Sequence, residues 1–267
     1  MPTVETNGIQ MYYEESGEGE PLLCLMGITA PGSVWELHVE AWSKDFRCIM
    51  PDNRGVGQSD KPAGPYSSRM MADDTAGLLD ALGLDRVRVI GCSMGSIIAQ
   101  QLALRHPDAV RSMVLMCPWA RCDRYATGVF EHIKHAKAKL SAAEFMNFIQ
   151  LLIFAKPHWD DDAAYEELMQ IQVDIAADPA PQPLHGLEAQ AEACIHHDVL
   201  VELPQIACPT VVIGGARDIF TPPWMGEEIA AAIPGAERHL YPDAGHAFHW
   251  ECMDDFNPRI AEWFRQH

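Results

Sequence analysis

The sequence predicts an α/β protein built on a doubly wound, mostly parallel sheet with a helical insertion. Short apolar strands alternate with helices over residues 1–118, and the alternation returns over residues 198–267. Such alternation is typical of a parallel sheet with helices on both faces. Residues 119–197 instead show apolar side chains at helical spacing and no clean strand, which indicates about four helices. We therefore predict a core of residues 1–118 and 198–267, covered by a helical cap of residues 119–197.

Hairpin, strand and helix signals place the individual elements. Asn7-Gly8, the favoured two-residue hairpin turn, lies between predicted strands Val4–Thr6 and Ile9–Glu15. The apolar pattern then predicts strand Pro21–Met26, helix Trp35–Trp42, strand Arg47–Met50, helix Ser68–Leu82, a strand from Val87, a helix ending near Arg105 and strand Val110–Met116. After the insertion it predicts strand Pro209–Gly214, helix Pro223–Ile233, strand Glu237–Tyr241 and helix Met253–Arg265.

The strand that begins at Val87 ends in Gly91-x-Ser93-x-Gly95, the signature of a nucleophile elbow. A turn this sharp forces Ser93 into an unfavourable backbone conformation and brings strand and helix together. The residues two before and two after it must therefore be very small. Ordinary glycine-rich turns can show the same pattern, but the flanking strand and helix favour a nucleophile. We predict Ser93 as the catalytic nucleophile, at a helix N-terminus whose dipole favours developing negative charge.

A serine hydroxyl needs an adjacent base, and the base needs an orienting acid. In elbow hydrolases the acid and then the histidine follow the serine along the chain. His246 is the predicted base because it follows strand Glu237–Tyr241 and has Gly245 beside it, which leaves room for the ring. The alternatives are that His246 is an ordinary surface-loop histidine, or that nearby His249 displaces it.

Asp218 is the predicted acid because it comes shortly after strand Pro209–Gly214, at the carboxyl edge of the sheet. The alternative is that Asp218 only caps a turn. Asp123 is a rival, but its place between Arg121 and Arg124 favours ion pairs with those arginines. The oxyanion hole needs two backbone N–H donors. We predict Met94, directly after the nucleophile, and Ile28, in the loop after strand Pro21–Met26.

These motifs together resemble the α/β-hydrolase superfamily over nearly the whole chain. The resemblance rests on Gly91-Cys92-Ser93-Met94-Gly95, Gly215-Ala216-Arg217-Asp218, Gly245-His246 and the loop from Asp52 to Asp60. It implies an eight-stranded, mostly parallel sheet with the cap after the sixth strand. A second, weaker resemblance, carried by Leu203–Thr210 and Thr221-Pro222-Pro223, is to 3-oxoadipate enol-lactonases and related small esterases.

The sequence departs from the family pattern at one position of the oxyanion loop. Family members often carry His-Gly after the third strand, whereas this chain has Met26-Gly27. The loop that contains Ile28 must therefore be held in another way. We interpret the Asp52–Asp60 loop as a structural brace; a direct catalytic role for Arg54 is the alternative.

Substrate choice is expected to come from the cap, which is rich in aromatic side chains. We predict that Trp119, Tyr125, Phe145 and Phe154 contact substrate; the alternative for each is that it only packs cap helices. An aromatic cap favours a moderately bulky, apolar ester or lactone. Arg121 and Arg124 could hold a substrate carboxylate, but a surface ion pair with Asp123 is the interpretation we prefer.

Charge and composition exclude several other classes. Asp and Glu number 38 against 19 Lys and Arg, a formal net charge of −19, so a nucleic-acid partner is not expected. No apolar run is long enough for a membrane span, and the first residues do not form a secretory signal. The eight cysteines are scattered without a C-x-x-C pair, which favours reduced thiols in a cytoplasmic protein. We predict no metal and no cofactor; a homodimer is compatible with the sequence.

The predicted function is hydrolysis of a carboxylic ester or lactone through an acyl-enzyme on Ser93. The sequence leaves two alternatives open. One is carbon–carbon bond hydrolysis or perhydrolysis by the same three residues. The other is a non-enzymatic ligand-binding protein that uses the same pocket. Haloalkane dehalogenation is disfavoured, because it needs a carboxylate where Ser93 stands.

Overall fold

The computed structural model describes residues 2–267 and contains one eight-stranded sheet. Its strand order is β1-β2-β4-β3-β5-β6-β7-β8. Only β1–β2 and β2–β4 pair antiparallel, and every other neighbouring pair is parallel. The strands are β1 Thr3–Thr6, β2 Ile9–Ser16, β3 Glu20–Leu25, β4 Phe46–Pro51, β5 Val87–Cys92, β6 Val110–Met116, β7 Thr210–Gly215 and β8 Glu237–Tyr241. The predicted fold class is therefore confirmed.

Helices cover both faces of this sheet. They are α1 Glu36–Trp42, α2 Ser68–Ala81, α3 Met94–Arg105, α4 Arg124–Lys139, α5 Ala142–Ile153, α6 Lys156–Asp160, α7 Asp162–Ala177, α8 Leu184–Ile195, α9 Pro223–Ala232, α10 Phe248–Glu251 and α11 Met253–Gln266. Short 3₁₀ helices occur at Gly32–Trp35, Pro107–Ala109 and Leu203–Gln205. Within residues 2–267, none of these helices is long and apolar enough to cross a bilayer.

The two faces of the sheet bury separate sets of side chains, as the twofold alternation of a strand requires. Leu23 and Leu25 of β3 belong to the apolar cluster on one face, which also contains residues of α2, α3 and α9. Leu22 and Cys24 pack with α1 and α11 on the other. The central strands are buried on both sides, which explains their nearly continuous apolar sequences.

The insertion lies between β6 and β7 and contains five helices, α4 to α8, where the sequence predicted about four. The additional one is α6, which spans only 5 residues. Ser141 and Glu144 form a reciprocal capping box at the start of α5, and the proline-rich stretch 178–183 separates α7 from α8. All five helices fall inside the range 119–197. Helix α8 packs on the core, since its Gly186 lies against the Gly55 carbonyl.

Candidate active site

Ser93 is the single residue between β5 and α3, and its backbone is strained. Its φ is +53° and its ψ is −115°, a conformation that non-glycine residues rarely adopt. A Cβ added to Gly91 would lie 2.4 Å from the Gly95 carbonyl oxygen, and one added to Gly95 would lie 2.1 Å from that of Leu25. Both positions therefore require glycine. The Ser93 N–H donates to the Met116 carbonyl at 2.9 Å, which ties the turn to β6.

Asp218 and His246 come together at the carboxyl ends of β7 and β8. The His246 Nδ1–H donates to Asp218 Oδ2 at 2.8 Å, and both side chains are buried. The other carboxylate oxygen of Asp218 accepts the backbone N–H groups of Phe220 and Thr221, at 2.8 and 2.9 Å. The Thr221 hydroxyl lies 3.0 Å from both Asp218 Oδ2 and His246 Nδ1. These contacts fix the orientation of the imidazole and make Nε2 the acceptor nitrogen of the ring.

Burial lowers the pKa of His246, but the charge of Asp218 and its hydrogen bond outweigh burial and raise that pKa above its ordinary value. In this structure Nε2 faces the Cys117 thiol at 3.5 Å. The Ser93 Oγ is buried and has no hydrogen-bond partner among the described residues. The structure thus pairs the predicted acid with the predicted base, while the hydrogen bond between base and nucleophile is not formed. Such bonds are often long in unliganded enzymes.

The predicted oxyanion loop lies directly against the nucleophile. A Cβ on Gly27 would come within 3.3 Å of Ser93 Cβ, so Gly27 brings this loop onto the elbow. The Met94 N–H is at the first position of α3, where no helical carbonyl can accept it. Ile28 lines the same cavity as Ser93.

Buried side chains from α8 of the insertion and from the loop after β4 hold this loop, where the family often has a histidine. The Thr29 N–H donates to Gln190 Oε1 of α8 at 3.1 Å, and Gln190 Nε2 donates to the Arg54 carbonyl at 2.9 Å. Asn53 Nδ2 donates to the Met26 carbonyl at 3.0 Å. The Arg54 guanidinium forms a buried ion pair with Asp74 and is not among the residues that line the cavity. The loop from Asp52 to Asp60 therefore braces the site, as the sequence indicated.

Ser93 and His246 open into a cavity of about 430 Å³ between sheet and cap. Most of its lining is apolar. The cap contributes Met146, Ile149, Ile153, Phe154, Leu168, Ile171 and Ile175. The polar lining side chains, besides Ser93 and His246, are Thr29, Gln150, His158, Glu167 and His249; among the described residues that line the cavity there is no lysine or arginine.

Of the four predicted substrate contacts, only Phe154 lines this cavity. Trp119 is fully buried against Phe130, and its indole N–H donates to a carbonyl of α8. Tyr125 is half-exposed, with its hydroxyl 2.5 Å from the Ile219 carbonyl. Phe145 is buried beneath the Lys137 ammonium, 4.9 Å from the ring centre. For Trp119, Tyr125 and Phe145 the structure therefore corrects the prediction, because each packs elements together and turns away from the cavity.

The arginines after β6 also differ from expectation. Arg121 pairs with Glu228 on α9 at 3.2 Å, and neither Arg121 nor Arg124 lines the cavity. Asp123 accepts the Ala126 N–H and caps α4. The expected ion pair of Asp123 with these arginines is therefore wrong; a helix N-cap is the better use of an aspartate at this position.

His249 is a second buried histidine that lines the cavity. From the sequence it was only an alternative to His246 as the base. The His249 Nδ1–H donates to His38 Nε2 at 2.9 Å, and His38 Nδ1–H donates to Asn257 Oδ1 at 2.6 Å. Burial and the nearby His38 and His246 lower the pKa of His249 well below its ordinary value. Without a carboxylate partner His249 remains neutral, so it is a poorer base than His246. No group of three His, Cys, Asp or Glu side chains within residues 2–267 is arranged to hold a metal.

Comparison with known proteins agrees with the fold. The family model for the alpha/beta hydrolase fold matches residues 20–134 and 137–251. A Mycobacterium tuberculosis protein provisionally named as a non-heme bromoperoxidase is 31% identical, over 96% of this chain and 98% of its own.

Two solved structures extend the comparison. A thermophilic esterase from Thermogutta terrifontis is 27% identical with a TM-score of 0.87, covering 100% of this chain and 99% of its own. The enol-lactonase of Burkholderia xenovorans is 27% identical with a TM-score of 0.89, covering 99% and 100%. With the family match extending over most of the residues, the chain belongs to the α/β hydrolase fold family and is similar throughout to hydrolases of that fold.

Proposed function

We propose that this protein is a serine hydrolase that cleaves a carboxylic ester or lactone of an uncharged, largely apolar substrate. One observation carries the proposal. Ser93 and His246, the latter paired with Asp218, line one cavity of about 430 Å³, and the lining is mainly apolar and, among the described residues, lacks lysine and arginine. A cavity of this size suits a small or medium ligand.

The proposed mechanism uses each group in one role. Asp218 accepts a hydrogen bond from the His246 Nδ1–H, which keeps that proton on Nδ1, so Nε2 is the basic atom. Movement of the imidazole from Cys117 toward Ser93 lets Nε2 take the Ser93 proton as Oγ attacks the carbonyl carbon. The N–H groups of Ile28 and Met94 stabilise the oxyanion, and the imidazolium protonates the leaving alcohol. Water, deprotonated by His246, then releases the acid and regenerates Ser93.

The charge of the lining supports a neutral substrate. The net charge of −19 and the presence of Glu167 in the lining make the field unfavourable for an anion. Neither Arg121 nor Arg124 reaches the cavity to compensate. One structural relative is named as an esterase and another as an enol-lactonase, which supports ester and lactone bonds. Lactones that carry a free carboxylate are disfavoured, because among the described residues no lysine or arginine lines the cavity to pair with it.

The test compares two nitrophenyl esters with acyl chains of similar length. We expect the wild-type protein to hydrolyse 4-nitrophenyl butyrate at least about 10-fold better in kcat/KM than 4-nitrophenyl hemisuccinate, since a desolvated carboxylate without a partner costs several kcal/mol. A fluorophosphonate probe should label wild type and fail to label Ser93→Ala. Equal turnover of both esters would contradict the neutral-substrate proposal.

The labelling experiment, together with three further assays, addresses the alternative functions. Labelling that survives Ser93→Ala excludes Ser93 as the modified residue. No labelling of wild type, with tight binding of an apolar ligand, would favour a non-enzymatic binder. A rate of peracid formation from hydrogen peroxide that exceeds hydrolysis would favour perhydrolysis. Turnover of a vinylogous diketone without turnover of esters would favour carbon–carbon cleavage.

A further inference from the structure

The loop that carries His246 is joined to the cap by one direct hydrogen bond and by a bridge of two hydrogen bonds through Glu251 of α10. The Ala247 N–H donates to the Ile153 carbonyl at 2.8 Å. The Gly245 N–H donates to Glu251 Oε2 at 2.6 Å, and the Ala155 N–H donates to Glu251 Oε1 at 2.7 Å. Both neighbours of His246 in the chain are thus tied to the segment 153–155, where α5 ends and α6 begins.

The contact between loop and cap is also close sterically. A Cβ on Gly245 would lie 2.6 Å from the Ile153 carbonyl oxygen and 2.9 Å from the Ala155 nitrogen. Two oxygens of a single carboxylate, that of Glu251, bridge the two backbones across this junction. Phe154, the residue between the two cap contacts, lines the cavity. The Phe154 part of the cavity wall and the proposed base are therefore held by the same set of contacts.

We propose that Glu251 is a positioning residue for the reaction. Its carboxylate holds the His246 loop against the cap, so that the imidazole stays within reach of Ser93 while Phe154 contacts substrate. This inference rests on the proposed function. Glu251 is not expected to touch substrate, since it is absent from the cavity lining.

Glu251 also acts on His246 through its charge. Burial raises the pKa of Glu251 above its ordinary value, and the hydrogen bonds from its two backbone N–H donors offset only part of this rise. The ionised carboxylate stabilises the imidazolium form of His246 and contributes to the raised pKa of that residue. The titratable groups that face His246 from all sides are Asp218, Cys92, Cys117, His249 and Glu251.

Three variants test the proposal. Glu251→Gln keeps the shape but removes the charge and one acceptor, and Glu251→Asp keeps the charge but shortens the reach. We expect kcat for a neutral ester to fall about 10- to 100-fold in both, with a smaller change in KM, because misplacing a catalytic group by about 1 Å costs this much. The matched control is Glu262→Gln, an exposed change on α11 that should leave kcat unchanged.

The pH profile separates positioning from general structural support. In Glu251→Gln the acid limb of kcat/KM should move to lower pH, since the imidazolium loses a stabilising charge, whereas in Glu251→Asp it should stay near the wild-type limb. Thermal melting identifies a variant that is merely unfolded. Folded variants with wild-type kcat and an unmoved limb would overturn the role of Glu251. Failure of a fluorophosphonate to label wild type would instead overturn the proposed function.

Discussion

Ser93 on one side of the cavity and His246 on the other are held by different kinds of contact. Ser93 is held by close backbone packing, since neither Gly91 nor Gly95 has room for a Cβ, and by the hydrogen bond of its own N–H to the Met116 carbonyl. His246 is held largely by side chains. The Asp218 carboxylate binds its ring, and the Glu251 carboxylate binds the backbone N–H of its neighbour Gly245. Both of those contacts are made by carboxylates, and the carboxylate of Glu251 also binds the cap.

The difference has a physical consequence. A nucleophile held by close-packed backbone does not respond to pH or to what fills the cavity. A base held by carboxylates responds to both, because its pKa and its position follow those charges. Substitutions on the elbow side should therefore act on folding, and substitutions on the histidine side should act on rate and on pH dependence.

The largest effect is expected on the histidine side, from Asp218→Asn. Loss of the charge leaves the imidazole without its orienting acceptor, and kcat/KM should fall by about 10⁴-fold. The pH dependence of kcat/KM should also change in a defined direction. Asp218 raises the pKa of His246, so the acid limb of the wild-type enzyme should lie above the ordinary histidine value of about 6.5. In Asp218→Asn that limb should move to lower pH. A limb that stays in place would show that another group titrates.

On the elbow side, Gly95→Ala should destabilise the fold by about 3 kcal/mol or more, since the new Cβ would meet the Leu25 carbonyl oxygen at 2.1 Å. Urea unfolding measures the change. Gly128→Ala is the matched control, because Gly128 lies inside α4 with nothing within 4 Å of its added Cβ. That variant should gain about 0.5–1 kcal/mol. Equal stability of the two variants would contradict the steric account.

The smallest effect is expected in the oxyanion loop, which belongs neither to the elbow of Ser93 nor to the loop of His246. Gln190→Met keeps most of the volume but removes the acceptor of the Thr29 N–H. We expect kcat/KM to fall about 10-fold, equivalent to about 1.4 kcal/mol, as the Ile28 N–H loses its alignment. Gln170→Met, on the exposed surface of α7, is the control. An unchanged rate in Gln190→Met would show that Asn53 and the glycine contacts hold the loop by themselves.

Much of this architecture follows from local sequence. Strands Val110–Met116 and Glu237–Tyr241 have the predicted bounds, and most other elements differ by one or two residues at their ends. The Gly91-x-Ser93-x-Gly95 spacing and the chain order of Ser93, Asp218 and His246 are visible without coordinates. These features depend on short-range sterics and on periodicity, which a sequence carries directly. The four-residue helix α10 was missed because one turn has no period to detect.

The residues with which the cap lines the cavity do not follow from local sequence. Aromatic content favoured Trp119, Tyr125 and Phe145 as pocket residues, yet aliphatic positions of α5 and α7 line most of the cap side. No sequence motif marks Gln190 or Glu251, because each accepts a hydrogen bond from a backbone N–H that is distant in the chain. These donors are Thr29 for Gln190 and Ala155 for Glu251. Which face of a cap helix turns inward depends on how five helices pack on one another and on the sheet. That packing is a long-range property, and no local pattern encodes it.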